Sequence, residues 1–165
     1  MTGYQMLDKK KILEMILEQL KQERGILMEA AQATYEAATH EENKPENEYD
    51  TRALEASYLA GAQAKRIGDI DEALSLLKNF TLKDFTANDP ISASALVKVE
   101  LNEKVSFLFL LPKGGGHILQ LDGRSLQVVS ANSPLGAALI GLKVGEIAVV
   151  ENGKNSREYE ILSVQ

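Results

Sequence analysis

The first half of this chain carries two long stretches in which apolar or small residues recur alternately three and four positions apart. The stretches cover residues 8–40 and residues 44–79. This spacing puts the apolar side chains on one face of an α-helix, as in the seam of a coiled coil. Because the segment between them is short, the pattern predicts an antiparallel helical hairpin. The predicted seam consists of Leu13, Leu17, Leu20, Leu27, Ala31, Thr34 and Ala38 in the first helix and Ala56, Ala60, Gln63, Ile67, Ile70, Leu74 and Leu77 in the second.

The first helix is predicted to be longer than a small globular core requires. About 33 residues at 1.5 Å per residue span about 50 Å, so part of the hairpin is expected to project. Ile12, Ile16 and Ile26 are expected to widen the apolar face beside the seam. Arg24 occupies a seam position, where the aliphatic part of its side chain can pack.

The connection between the two helices is strongly acidic. Residues 36–50 contain six carboxylates and one cation, Lys44. Asn43, Pro45 and Glu46 form the pattern of a helix start, with a capping residue, a proline in the first turn and a carboxylate at the third position. One interpretation is a solvated turn whose carboxylates cap the second helix. The alternative is a negatively charged tip that meets a basic protein, or a metal ion already held by a partner.

The pattern changes to that of β-strands after Pro90. We therefore predict a helical hairpin at residues 1–79, a linker with a short helical turn at residues 80–90, and a small α+β domain at residues 91–165. The domain is expected to hold an antiparallel sheet with one short helix packed on it, capped by Ser133. The predicted strands lie at residues 96–101, 105–111, 118–121, 126–129, 147–150 and 159–164, and the helix lies at residues 135–140.

Composition restricts the partners of this chain. Residues 1–79 hold 10 Lys and Arg against 15 Asp and Glu, which accounts for −5 of the formal net charge of −6. An acidic chain neutralises phosphates poorly, so we expect no autonomous DNA binding. The chain has no Cys and no apolar run of about 18 residues, which excludes disulfides and indicates a cytoplasmic protein without a membrane span. A slim, acidic hairpin favours a monomer.

No motif in the chain indicates catalysis by the protein itself. The glycines at residues 114–116 are not followed by the Lys-Ser/Thr pair of a phosphate-binding loop. His40 and His117 stand apart from other metal-ligating residues. Ser133 has no His and acid partner in a nucleophile motif. We therefore predict that the protein is not an enzyme and holds no cofactor stably.

The final third of the chain combines a capped helix with two strands that follow it. Its characteristic positions after residue 128 are Ser133-Pro134, Ala138-Leu139, Gly141, Val144-Gly145-Glu146 and Tyr159-Glu160-Ile161-Leu162. This pattern resembles the C-terminal domain of the Gre family of bacterial transcription elongation factors. The hairpin supports the resemblance through Glu48-Tyr49 and, at the family's separation, Leu59-Ala60-Gly61.

This resemblance implies a fold and a mechanism. The fold is a helical hairpin followed by an FKBP-like domain. In the family, the hairpin enters the secondary channel of RNA polymerase, and its tip carboxylates help to hold a second Mg²⁺ at the active centre, where the polymerase hydrolyses the 3′ end of a backtracked RNA. The resemblance assigns this role to Glu41, Glu42 and Glu46, with Glu42 and Glu46 as the Mg²⁺ ligands. It assigns contacts with the channel rim to Asn132, Ser133 and Pro134.

The tip of this chain departs from the family pattern. Aligned without gaps from Tyr49, the position of the family's Asp is Glu42 and the position of its Glu is Pro45, with Glu46 one residue later. Two alternatives to stimulation of transcript cleavage are therefore kept. One is a channel-binding regulator that inhibits or competes without cleavage. The other is a coiled-coil binding or chaperone-like module unrelated to transcription.

Overall fold

The computed structural model describes residues 6–39 and 52–165, which divide into two compact units. One unit comprises residues 17–78, and the other comprises the residues up to Ile16 together with residues 79–165. The first turns of the N-terminal helix thus group with the sheet and not with the rest of the hairpin. Among the described residues, no helix has the length and apolar character that crossing a bilayer requires.

Two long helices form the N-terminal part of the described chain. Helix α1 spans Lys9–Thr39 and helix α2 spans Arg52–Lys78. The carboxylate of Asp8 accepts the backbone N–H groups of Lys10 and Lys11 at 3.0 and 3.2 Å. These bonds satisfy two of the amide donors that the first turn of a helix leaves unpaired, which explains why α1 begins here. The predicted start of the second helix near Lys44 lies outside the described residues.

The predicted seam is the buried side of the helices in the unit of residues 17–78. Leu20, Ile67 and Ile70 are buried along it. Ile26, which was expected to widen this apolar face, is instead 68% exposed. Successive residues of a helix point about 100° apart, so Ile26 points away from the narrow strip that one partner helix covers at the neighbouring Leu27.

Two ion pairs join the helices. Arg24 Nε lies 2.5 Å from Asp71 Oδ1, and Arg66 Nη2 lies 2.7 Å from Glu23 Oε1. Because these side chains are largely exposed, each pair contributes only about 0–1 kcal/mol. Only the twelve residues 40–51 connect the two long helices, and so short a connection is typical of an antiparallel pair. The helices are therefore antiparallel, as the sequence predicted.

Six strands and one short helix form most of the remaining chain. They are β1 (Leu96–Leu101), β2 (Lys104–Leu111), β3 (Ile118–Leu121), β4 (Arg124–Ser130), α3 (Pro134–Leu139), β5 (Ile147–Asn152) and β6 (Asn155–Val164). The sheet order is β3-β4-β2-β1-β6-β5. The fold class predicted from the sequence, a helical hairpin followed by an FKBP-like α+β domain, is confirmed.

One strand pairing differs from the predicted antiparallel sheet. Strands β2 and β4 are parallel, while the other neighbouring strands are antiparallel. The tight turn at Asp122 and Gly123 pairs β3 with β4, and the four-residue β3 takes the edge of the sheet. Strand β4 consequently enters beside β2 in the same direction.

Both faces of the sheet are buried, whereas the sequence predicted only a short helix packed on it. One face contributes Val97, Leu110 and Ile161 to a core that also contains Leu139 of α3. Every residue from 108 to 111 of β2 is buried, which is typical of a strand covered on both sides. The buried residues of the second face are Leu96, Phe109, Leu111, Leu119, Leu121, Leu126 and Val128.

The linker contains no helical turn, in contrast to the prediction for residues 80–90. The carboxylate of Asp89 accepts the backbone N–H and the hydroxyl of Thr86 at 2.7 and 2.9 Å. These bonds lower the pKa of the Asp89 carboxyl. Since the side chain of Asp89 already satisfies the N–H of Thr86, the linker forms a side-chain-stabilised turn.

A buried lysine anchors the beginning of α1 within the unit that contains residues 79–165, here called the sheet unit. Lys9 is 8% exposed, and its ammonium group donates to the backbone carbonyls of Lys83 and, at 3.0 Å, Gln165. The same nitrogen lies 4.9 Å from the centre of the Phe85 ring. Burial lowers the pKa of Lys9 to about 8, against the opposing attraction of Asp84.

This lowered pKa predicts a pH dependence of stability. Between about pH 8 and the ordinary lysine value of 10.5, the unfolded chain binds the Lys9 proton while the folded chain has released it. The free energy of unfolding attributable to Lys9 should therefore rise with pH across this window. The measurement is urea unfolding of the wild type and of Lys9→Met at several pH values, because other groups cancel in the difference. A difference that stays flat from pH 7 to 10.5 would contradict this result.

Candidate functional site

The tip residues predicted from the sequence, Glu41, Glu42 and Glu46, lie outside the described residues. In the chain they lie between helices α1 and α2. Within residues 6–39 and 52–165, no group of three or more His, Asp or Glu side chains is arranged to hold a metal ion.

Exposed apolar side chains lie near the end of α1 and the beginning of α2. Tyr35 of α1 is 60% exposed, and Tyr58 of α2 is 70% exposed. Leu54 and Leu59 are more than half exposed on α2. Exposed aromatic and aliphatic groups are typical of surfaces that contact another protein. The three- and four-residue spacing did not predict a role for these residues, because they lie off the buried face.

The loop before α3 was predicted to contact a partner, and the structure shows how it is held. Ser133 is extended at φ −72° and ψ 159°, and its Oγ accepts the backbone N–H of Gly136 at 3.1 Å. The same hydroxyl donates to the carbonyl of Ser130 at 2.7 Å. Pro134 fills the first helical position, where its missing N–H costs nothing. The predicted helix cap is thus confirmed.

Two glycines allow the backbone to approach Ser130 from both sides. A Cβ added to Gly136 would lie 2.0 Å from the carbonyl oxygen of Ser130. A Cβ added to Gly115 would lie 2.4 Å from Ser130 Oγ, which accepts the N–H of Gly115 at 2.9 Å. Within the glycine run at residues 114–116, Gly115 therefore serves close packing against Ser130.

A cleft of about 560 Å³ opens beside this loop. Asn132 and Pro134 line it together with Arg157 and Tyr159 of β6. Arg157 and Tyr159 are two positions apart, so strand alternation turns both toward the same face. Sequence reasoning had placed only the loop in the site, because the pairing that brings β6 to it depends on the folded sheet. The cleft combines an apolar wall, amide groups and one guanidinium, a composition suited to a protein segment.

Comparison with known proteins identifies relatives along most of the chain. A family model described as the C-terminal domain of the transcription elongation factors GreA and GreB matches residues 122–165. The transcription elongation factor GreA of Alkalilimnicola ehrlichii is 30% identical over 141 residues, which cover 81% of this chain and 80% of that protein. The transcription inhibitor protein Gfh1 of Thermus thermophilus is 24% identical over 154 residues, which cover 92% and 91% of the two chains.

The solved crystal structure of Gfh1 from Thermus thermophilus is 21% identical, covers 93% of this chain and 94% of that chain, and gives a TM-score of 0.38. The GreA relative shares its identity over four-fifths of both chains, well beyond the segment that the family model matches. This chain therefore belongs to the Gre family of bacterial transcription factors.

Proposed function

We propose that this protein binds bacterial RNA polymerase, inserts its acidic hairpin tip into the secondary channel and stimulates cleavage of backtracked RNA. The observation that carries this proposal is the match to GreA over 81% of the chain, which is too long to involve the C-terminal domain alone. It therefore extends into the helical half of the chain, whose sequence contains Glu41, Glu42 and Glu46. The hydrolysis itself belongs to the polymerase.

Helices α1 and α2, here called the stem, are long and slim, as such an insertion requires. The 23 residues of α1 from Leu17 to Thr39 span about 35 Å. Small seam residues such as Ala31 and Ala60 are half-buried toward the tip, which keeps the paired helices slim. The exposed Tyr35 and Tyr58 provide apolar surface for contact with the channel wall.

The tip carboxylates suit the metal that the family mechanism requires. Mg²⁺ prefers oxygen ligands and is usually held by one or two carboxylates together with groups of the substrate. Glu42 and Glu46 would supply these oxygens beside the nascent RNA 3′ end, jointly with the polymerase. Such an ion stabilises the attacking and leaving oxygens of phosphodiester hydrolysis.

The cleft beside α3 is proposed to hold the rim of the channel. Replacing Asn132 or Arg157 by Ala should weaken binding to core polymerase by about three- to tenfold, because each removes a polar contact at the edge of the interface. Affinity measured by co-purification and by fluorescence titration tests this. Lys104→Ala, which removes a cation from the first position of β2, serves as the control and should bind as the wild type does. If all three variants bind core polymerase with the affinity of the wild type, the cleft does not contact the rim of the channel.

A second candidate is a regulator that occupies the channel without cleavage. It is favoured by Pro45, which stands where the family pattern has a carboxylate, and by the relative named as a transcription inhibitor. Catalytic geometry is sensitive to displacements of about 1 Å. A displaced carboxylate at Glu46 would then fill the channel without completing the metal site.

A stalled, backtracked elongation complex with radiolabelled RNA separates the two candidates. The first predicts shortened transcripts after addition of the protein, with a rate that depends on Mg²⁺ concentration. Binding without shortening at any Mg²⁺ concentration would favour the second candidate. Failure to co-purify with core polymerase would reject both candidates. It would favour the remaining alternative, a coiled-coil binding or chaperone-like module unrelated to transcription.

A further inference from the structure

A groove in the unit that contains the sheet shares no lining residue with the cleft beside α3. It has a volume of about 430 Å³. The segment before α1 forms one wall, and strands β1, β2, β4 and β6 form the floor. All of these elements belong to one compact unit, so the groove does not depend on how the hairpin is placed.

The floor of the groove is mainly apolar. Leu96, Phe107 and Leu162 contribute aliphatic and aromatic surface, and Phe107 is only partly covered by the protein. Met6 forms part of the wall and is 73% exposed. A methionine side chain adapts its shape to a bound molecule because it is unbranched and has several rotatable bonds. The groove therefore offers an adaptable apolar surface around the aromatic ring of Phe107.

Two cationic side chains line the groove together with that ring. Lys98 of β1 is the direct cross-strand partner of Phe107, and both line the groove. The guanidinium carbon of Arg124 lies 5.5 Å from the centre of the Phe107 ring. Among the described residues that line the groove there is no Asp or Glu. The groove thus combines an aromatic floor with two positive charges.

The negative charges of this part of the sheet are concentrated in a different depression. That second depression is lined by Glu100, Glu103, Glu158 and Glu160. None of these four glutamates lines the groove of Lys98 and Arg124. An anion that enters the groove would therefore meet two cationic side chains on its lining.

We propose that this groove binds a small organic anion with a flat apolar body, whose charged group lies between Lys98 and Arg124 while its body packs on Phe107. A volume of about 430 Å³ falls in the range of small-molecule sites, about 300–1,000 Å³, and is too small for a folded partner. Charge-assisted bonds to Arg and Lys would orient the anion. This site is independent of the proposed action on RNA polymerase.

The test compares an anionic and a neutral fluorescent probe of similar shape on the full-length chain. The anion is 1-anilinonaphthalene-8-sulfonate, and the neutral analogue is N-phenyl-1-naphthylamine. Lys98→Gln and Arg124→Gln should each weaken the sulfonate by about fivefold and change the affinity of the neutral probe by less than about twofold. Lys154→Gln, which removes one charge from the β5–β6 turn, should affect neither probe.

Competition and mapping complete the experiment. Naphthalene-2-carboxylate and 2-naphthyl phosphate should displace the sulfonate, and their relative potency tells whether a carboxylate or a phosphate is preferred. Amide NMR shifts caused by the probe should centre on Lys98, Phe107 and Ser163. Circular dichroism verifies that each variant is folded. The proposal is wrong if the two Gln variants bind the sulfonate as the wild type does, or if the shifts centre on the cleft beside α3.

Discussion

Replacing Gly136 by Ala is expected to lower the free energy of unfolding of the sheet unit by about 3 kcal/mol, from overpacking and loss of the helix cap. The added Cβ would lie 2.0 Å from the carbonyl oxygen of Ser130 and 3.1 Å from the Cα of Ala131, both backbone atoms. That carbonyl also accepts the N–H and the hydroxyl of Ser133 at 3.0 and 2.7 Å. Relieving the clash therefore breaks the bonds that start α3.

Urea unfolding, followed by circular dichroism and by amide NMR signals of the sheet, measures this loss. Gly68→Ala is the matched control, because nothing lies within 4 Å of a Cβ added at this position in α2. The control should gain about 0.4–1 kcal/mol, since Ala restricts the unfolded chain and favours the helix. The affinity of Gly136→Ala for polymerase should fall as well, because Ser130 and the loop before α3 line the cleft. If Gly136→Ala were as stable as the wild type, the backbone of Ser130 and Ala131 would be able to move away from the added Cβ without loss of folding free energy.

The helical part of the fold was predictable because its determinants are local. The alternating three- and four-residue spacing identified Leu20, Ile67 and Ile70 as buried, and the structure confirms them. The same reasoning was wrong for Ile26, since an apolar residue next to a seam is buried only if a third element covers it. Spacing within one helix carries no information about such a third element.

The sheet was predictable strand by strand but not in its pairing. Turn residues such as Asp122 and Gly123 marked the hairpin of β3 and β4 from the sequence alone. The parallel pairing of β2 and β4 depends on which of two strands takes the edge, a choice made by packing of the whole sheet. The continuous apolar run of β2 was a usable signal that both faces are covered.

The candidate site was predictable only where it follows from local chemistry. Ser133 and Pro134 carry the signature of a capped helix, so their placement followed from residue type and spacing. The close approach of Gly136 to Ser130 and the position of Arg157 are tertiary, and no local pattern encodes them. The role of the tip carboxylates came from the family resemblance, and it stays a prediction.

The double substitution Glu42→Ala and Glu46→Ala is expected to reduce transcript cleavage by about 100-fold or more, the effect of losing groups that stabilise charge in a transition state. Binding to core polymerase should change by less than about twofold, because the stem and the cleft beside α3 would still make the contacts. Single-turnover cleavage of a backtracked complex with saturating protein measures the first quantity. Affinity for core polymerase measures the second.

The matched control removes two carboxylates away from the tip. Glu14 and Glu18 are exposed on the first turns of α1, so Glu14→Ala with Glu18→Ala changes the net charge equally. This control should cleave at the wild-type rate, which separates a role at the metal from general electrostatic attraction. If both double variants lose cleavage to the same degree, the effect is one of net charge. If the tip variant cleaves as the wild type does, Glu42 and Glu46 do not hold the metal, and the oxygens must come from other carboxylates of residues 36–50 or from the polymerase alone.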